Sequence, residues 1–187
     1  AGGAAGVHAL ARAIGARTAD GGAALVGARG RCAAANALRA LARATRAEGH
    51  AVEFCARWEE ENGVSALRFR AELGASYQDF RALGWDVKPL IVASGTEVAA
   101  LAKAMATERR KRGRCVAKAS VGPSEGGDVR ASVVAKALAS LQRYALDKEA
   151  PWCVATRVPG NVLLVHLAGE GSWPGWGPRV GRPPGAE

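Results

Sequence analysis

Apolar residues in the first part of the chain follow two alternating rhythms. Val7, Leu10, Ala11 and Ile14 recur at helical spacing, and Gly15 with Asp20-Gly21-Gly22 marks the end of that helix. Ala23 to Ala28 has the length of a buried strand. The basic turn Gly27-Ala28-Arg29-Gly30-Arg31 leads into a second helix with Ala34, Leu38, Leu41, Ala42 and Thr45 as its stripe and Gly49 as its stop. Val52, Phe54, Ala56 and Trp58 then alternate with Glu53, Cys55 and Arg57, the period of a half-buried strand. Glu59-Glu60-Glu61-Asn62-Gly63 turns the chain, and Leu67, Phe69 and Ala71 alternate with Arg68 and Arg70 on the way back.

The stretch from Lys88 to Leu167 repeats this order and adds a strand in front. It predicts a strand at Pro89 to Val92, a helix from Glu97 to about Arg112, and a strand from Arg114 to Val121. After the turn Pro123-Ser124-Glu125-Gly126-Gly127 come a helix from about Val129 to Leu146 and closing strands at Trp152 to Val158 and Asn161 to Leu167. Ser94-x-x-Glu97 reads as a capping box, and Val133, Ala137, Leu141 and Tyr144 as a sheet-facing stripe. The expected fold class is α/β, of the two-layer α+β kind, with helices on one face of a sheet.

The first half therefore reads as α-β-α-β-β and the second as β-α-β-α-β-β, an internal repeat. The expected units are 1–73 and 88–168, joined by a connector at 74–87 and followed by a Gly/Pro/Trp tail at 169–187 without a fold of its own. Tyr77, Phe80, Leu83 and Trp85 make the connector too apolar for a free linker, so it is expected to form a short helical turn packed on one or both units. The first strand of the first unit lies upstream of Ala1, is replaced by another segment, or has been lost. Its absence leaves a sheet edge to be filled or covered.

LIVASGTEVAALAKAM, RCVAKASVG and VRASVVAKALASLQRYALDKEAPWCVATRVPGNVLLVHL resemble, in succession, the stage V sporulation protein S family of Alba-like nucleic-acid-associated proteins. The resemblance covers about eighty residues of the second half and, more faintly, the first seventy or so. Gly27-x-x-Gly30 followed by Asn36-Ala37-Leu38-Arg39-Ala40-Leu41-Ala42 resembles that family's Gly-rich turn and Asn-bearing helix; the second half has Ser132 near the Asn position. The resemblance implies two tandem Alba-like units, equivalent to a dimer within one chain, and a nucleic-acid partner. It does not extend to the basic loop that Alba proteins carry after their first strand, because Ser94-Gly95-Thr96 stands there.

Composition sharpens the choice of partner. Hydrophobic residues make up 49% of the chain but aromatic ones only 5%, which favours close packing on small side chains over an aromatic core. The net charge of +9 points to a polyanion, with nucleic acid first and RNA placed before DNA. No apolar run reaches bilayer-spanning length, and no membrane partner is expected. The four cysteines, Cys32, Cys55, Cys115 and Cys153, are widely spaced and read as buried reduced thiols. A start at Ala1 fits either a processed organellar (mitochondrial) product or a segment of a longer polypeptide.

The cations supply the candidate sites. Arg109-Arg110-Lys111-Arg112, with Arg114 and Lys118 behind them, would neutralise several phosphates; a helix end complementing its own dipole accounts for one or two of these charges. Arg29 and Arg31 flank a glycine ahead of a helix, where a phosphate can be received, though such turns are also ordinary architecture. Arg68 and Arg70, with Arg57, fall on the outer face of the first closing hairpin. Trp173 and Trp176 in the tail read as anchors for a partner surface. His8, His50 and His166 lack nucleophile or metal-ligand neighbours, so no catalytic residue, metal or cofactor is expected. The rival expectation is a structural subunit docked on neighbouring proteins of a large assembly, such as an organellar ribosome or other ribonucleoprotein.

Overall fold

The computed structural model describes residues 4–47, 49–83, 85–122, 125–144 and 151–168. The first half runs α1 (Ala4–Ala19), β1 (Ala24–Ala28), α2 (Gly30–Ala47), β2 (His50–Glu61) and β3 (Val64–Ser76). A short helix, α3 (Tyr77–Ala82), opens the connector. The second half runs β4 (Leu90–Val92), α4 (Val98–Arg112), β5 (Arg114–Ser120), α5 (Glu125–Ser140), a 3-10 turn (Leu141–Arg143), β6 (Cys153–Val158) and β7 (Val162–Ala168). The fold is α+β.

All seven strands join one mixed sheet in the order β1-β3-β2-β6-β7-β5-β4. Only β4 and β5 run parallel; every other neighbouring pair is antiparallel. The halves meet where β2 pairs with β6, Phe54 opposite Cys153 and Glu53 opposite Val154. These strands hold the same place in their two repeats, and the matching helices α2 and α5 pack against each other above them. One buried cluster runs through both halves, from Ile14, Phe54 and Phe69 to Met105, Leu138 and Leu167. Alanines at the α2 contacts, including Ala34, Ala37 and Ala44, are buried, so small side chains allow helices and sheet to approach closely. Across the junction Trp58 Nε1 donates to Ser140 Oγ at 3.2 Å.

Several local expectations need correction. Glu97 is the residue before α4, but no side chain caps that helix; instead Thr96 Oγ1 accepts from Ala93 N–H at 2.9 Å, closing the loop upstream. Glu59 to Glu61 belong to β2, and the chain turns on Asn62 and Gly63 alone, both at positive φ (54° and 73°), the conformation a two-residue hairpin requires. Gly126 and Gly127 lie inside α5, whose most buried residues include Val134 and Leu138, while Val133 is only partly covered. Flanked by α2 and α4, α5 buries more of its circumference than one sheet-facing stripe. Cys32 is exposed on α2, whereas Cys55, Cys115 and Cys153 are buried.

β1 pairs with β3 on one side and forms an edge of the sheet on the other. At the matching position of the second half, β4 fills the place beside β5. Among the described residues, no helix is long and apolar enough to cross a membrane.

Candidate nucleic-acid interface

Strand alternation sorts the side chains. Phe54, Ala56, Leu67, Phe69 and Ala71 face the long helices, so Arg57, Arg68 and Arg70 project from the opposite face, which among the described residues carries no helix but the short α3. Arg57 stands directly opposite Arg68, and Arg70 opposite Cys55. Arg68 lies over β1, where Gly27 makes room for it: a Cβ at Gly27 would come within 2.6 Å of Arg68 Nη1. Glu59 pairs with Arg68 at 3.1 Å and Glu72 with Arg70 at 2.7 Å. Arg29 and Arg31 leave the end of β1 toward the hairpin tip, with Gly30 at φ 80° between them, and Arg31 lies in the first turn of α2.

In the second half the same face is partly covered. The connector crosses it and packs Phe80 on Val154 and Ala51, with Trp85 and Leu83 alongside. His166 of β7 lies beneath, edge-on to Phe80 and Trp85 with ring centroids 5.0 and 4.7 Å apart. Burial pushes its pKa from 6.5 down to about 3, so its imidazole is neutral. Its Nε2 meets Thr156 Oγ1 at 3.0 Å, but Nδ1 has no hydrogen-bond partner among the described residues, so this histidine is only half satisfied. Lys118 is exposed on this face, between Ile91 and Leu164.

The basic end of α4 also serves the fold. Arg109 Nε donates to Ala168 O at 2.9 Å, Arg110 Nη2 to Tyr144 O at 3.3 Å, and Arg112 pairs with Glu108 at 2.9 Å. Arg114 donates to Leu83 O and lies 6.0 Å over the Trp85 ring, clipping the connector to β5. Arg110, Lys111 and Arg112 remain exposed. The ten candidate cations thus divide among the sheet face that carries the connector, the start of α2 and the end of α4. Trp173 and Trp176 lie outside the described residues.

Sequence reasoning missed Arg81 and Arg157. Both are exposed and line a cleft of about 550 Å³ between the connector and the β6–β7 end of the sheet. The apolar pattern of the connector announced its packing but not the cations it carries beside the aromatic rings. Burial pushes the Cys115 thiol up to about 12 and raises those of Cys55 and Cys153, which keeps all three protonated. Among the described residues, no group of three or more His, Cys, Asp or Glu is placed to hold a metal ion.

Comparisons with protein-family models, curated proteins and solved structures return no match to this chain.

Proposed function

We propose that this protein is a non-enzymatic nucleic-acid-binding protein that holds RNA or DNA by phosphate contacts, as its Alba-like resemblance implies. The observation that carries this reading is the cross-strand placement of Arg57 opposite Arg68 on the sheet face turned away from α1, α2, α4 and α5. Glu59 balances one of these two charges at 3.1 Å, and the opposed arginines keep a net positive charge to offer a phosphate. The net charge of +9 supports a polyanionic partner, and the exposed end of α4 offers a second set of cations.

The test is binding to single- and double-stranded RNA and DNA across a salt series. The wild type is compared with an Arg57→Ser/Arg68→Ser/Arg70→Ser variant and with an Arg110→Ser/Lys111→Ser/Arg112→Ser variant. Each lost phosphate contact should reduce the logarithmic salt slope by about 0.7 to 0.9, so the first variant, with three arginines removed, should lose about 2 to 3. A well-folded protein that binds none of these probes overturns the reading.

The alternative, a structural subunit docked on proteins of a large assembly such as a ribonucleoprotein, has its own supporting observation. β1 is an edge strand, and its Leu25 is 74% exposed, in the half where the first strand of the repeat has no counterpart among the described residues. That reading expects self-association or poor solubility of the isolated chain, relieved by a partner strand.

A further inference from the structure

The cleft between the connector and the β6–β7 end carries a chemistry that phosphate contact alone does not use. Its lining combines Tyr77 and Trp85 with Arg81, Arg157, Thr156 and His166. At about 550 Å³ it is sized for a small planar ligand, since such pockets run roughly 300–1,000 Å³. Its aromatic wall is fixed before any ligand arrives. Tyr77 stacks on Phe80 at 5.9 Å with 22° between the rings, Ser76 Oγ caps the helix that carries these two, and Trp85 Nε1, beyond the helix, donates to Phe80 O at 2.9 Å. Beneath that wall, neutral His166 has an unspent hydrogen-bonding atom, Nδ1, a place a folded protein ordinarily satisfies.

We propose that this cleft receives a nucleobase from a single strand, stacked against the Tyr77–Trp85 wall, while Arg81 and Arg157 take the adjoining phosphates. The assignment rests on the nucleic-acid reading above and specifies it: the preferred partner is single-stranded. Aromatic faces stack with any exposed base, and a neighbouring cation holds its backbone, whereas a duplex keeps its bases inside and can offer only phosphate. The two arginines beside an apolar wall make the cleft complementary to such an amphipathic anion, and their charge counts against an apolar peptide as the occupant.

The experiment titrates the full chain with oligouridylate of about twelve nucleotides, within the usual site size of a single-strand binder. An RNA duplex of equal length and uridine monophosphate are run in parallel. The variants are Tyr77→Leu, which removes a stacking face, and Arg81→Ser/Arg157→Ser, which changes two exposed positions and keeps the test valid if Tyr77→Leu unfolds. Each should weaken oligouridylate binding about tenfold and leave duplex binding within about twofold, and a 4-thiouridine oligomer should crosslink to the peptide bearing Tyr77 or Trp85. Equal losses for single strand and duplex, or variants that bind oligouridylate like the wild type, overturn the pocket and leave the phosphate-contact reading standing. Monophosphate binding as tight as the oligomer overturns the single-strand assignment in favour of a free nucleotide. No binding of any probe by the folded wild type overturns both readings together.

Discussion

Arg39 on α2 reaches into the second half and pairs with Asp128 of α5 at 2.5 Å, their side chains 15% and 26% exposed. The same guanidinium donates to Val121 O at 3.1 Å and Gly122 O at 3.3 Å, so it holds both the helix and the loop before it. Hydrogen bonds of charged groups contribute roughly 1.5–3 kcal/mol, and this cation satisfies carbonyls that face away from the sheet ladder. Arg39→Met should therefore lower stability by about 2 kcal/mol. Urea unfolding reads the loss as a lower midpoint at unchanged slope. Asp128→Asn, which retains an acceptor, should cost less than half as much. A midpoint that does not move in Arg39→Met would show that this clamp adds nothing to the β2–β6 ladder, the Trp58–Ser140 bond and the apolar seam that join the halves.

His166 makes stability depend on acidity. Its folded pKa of about 3 lies below the ordinary 6.5, so on acidification the unfolded chain takes up this proton first. The contribution is fully present above about pH 6.5 and is lost as pH falls toward 3, with a ceiling on the order of 5 kcal/mol. His166→Asn keeps a partner for Thr156 and removes the titration. Wild type and variant should converge in stability as pH drops from 7 to 4, a difference that cancels the carboxylates common to both. Parallel curves would place the titration elsewhere.

Element order and both amphipathic hairpins were legible in the sequence because strand alternation at Val52 to Trp58 and Leu67 to Ala71 depends only on one covered face. The cross-half junction was not legible. Phe54 and Cys153 read as members of separate closing strands, and nothing in their local pattern says that those strands pair with each other. The capping motif at Ser94 to Glu97 misled for a related reason: Thr96 found a nearer backbone partner, and local hydrogen bonds compete with caps. Of the candidate site, Arg57, Arg68 and Arg70 were placed on one face by period alone. The contacts of Arg114 with Leu83 and Trp85, and the cleft beside Arg81 and Arg157, depend on where the connector crosses the sheet.

Cysteine chemistry should divide the four thiols. Cys32 is exposed, whereas Cys55, Cys115 and Cys153 are buried with their thiols held protonated. Thiolate is the reactive form, so at neutral pH a colorimetric thiol reagent should titrate one group in the folded chain and four in denaturant. The slow reactions of the remaining three then report opening of the sheet. Rapid reaction of two or more thiols in the native protein would contradict the packing of β2, β5 and β6.

Two adjacent glycines should respond in opposite ways to the same change. A Cβ at Gly126 would find its nearest neighbour, Arg130 Nη2, at 3.5 Å, an ordinary contact with a flexible side chain. A Cβ at Gly127 would strike the backbone of Gly122, with Gly122 N and the Val121 carbonyl carbon also within 3.0 Å. Gly126→Ala should be neutral or stabilise by up to about 1 kcal/mol, through the better helix propensity of alanine. Gly127→Ala has to move backbone and should cost roughly 1–3 kcal/mol. The loop it displaces presents Val121 O and Gly122 O to Arg39, so the change should also loosen that clamp. A double-mutant cycle of Gly127→Ala with Arg39→Met should then lose less than the sum of the single losses, because both remove the same contacts. Additive losses would mean that the loop keeps its place and that α5 shifts instead, opening the α2–α5 packing above the β2–β6 junction.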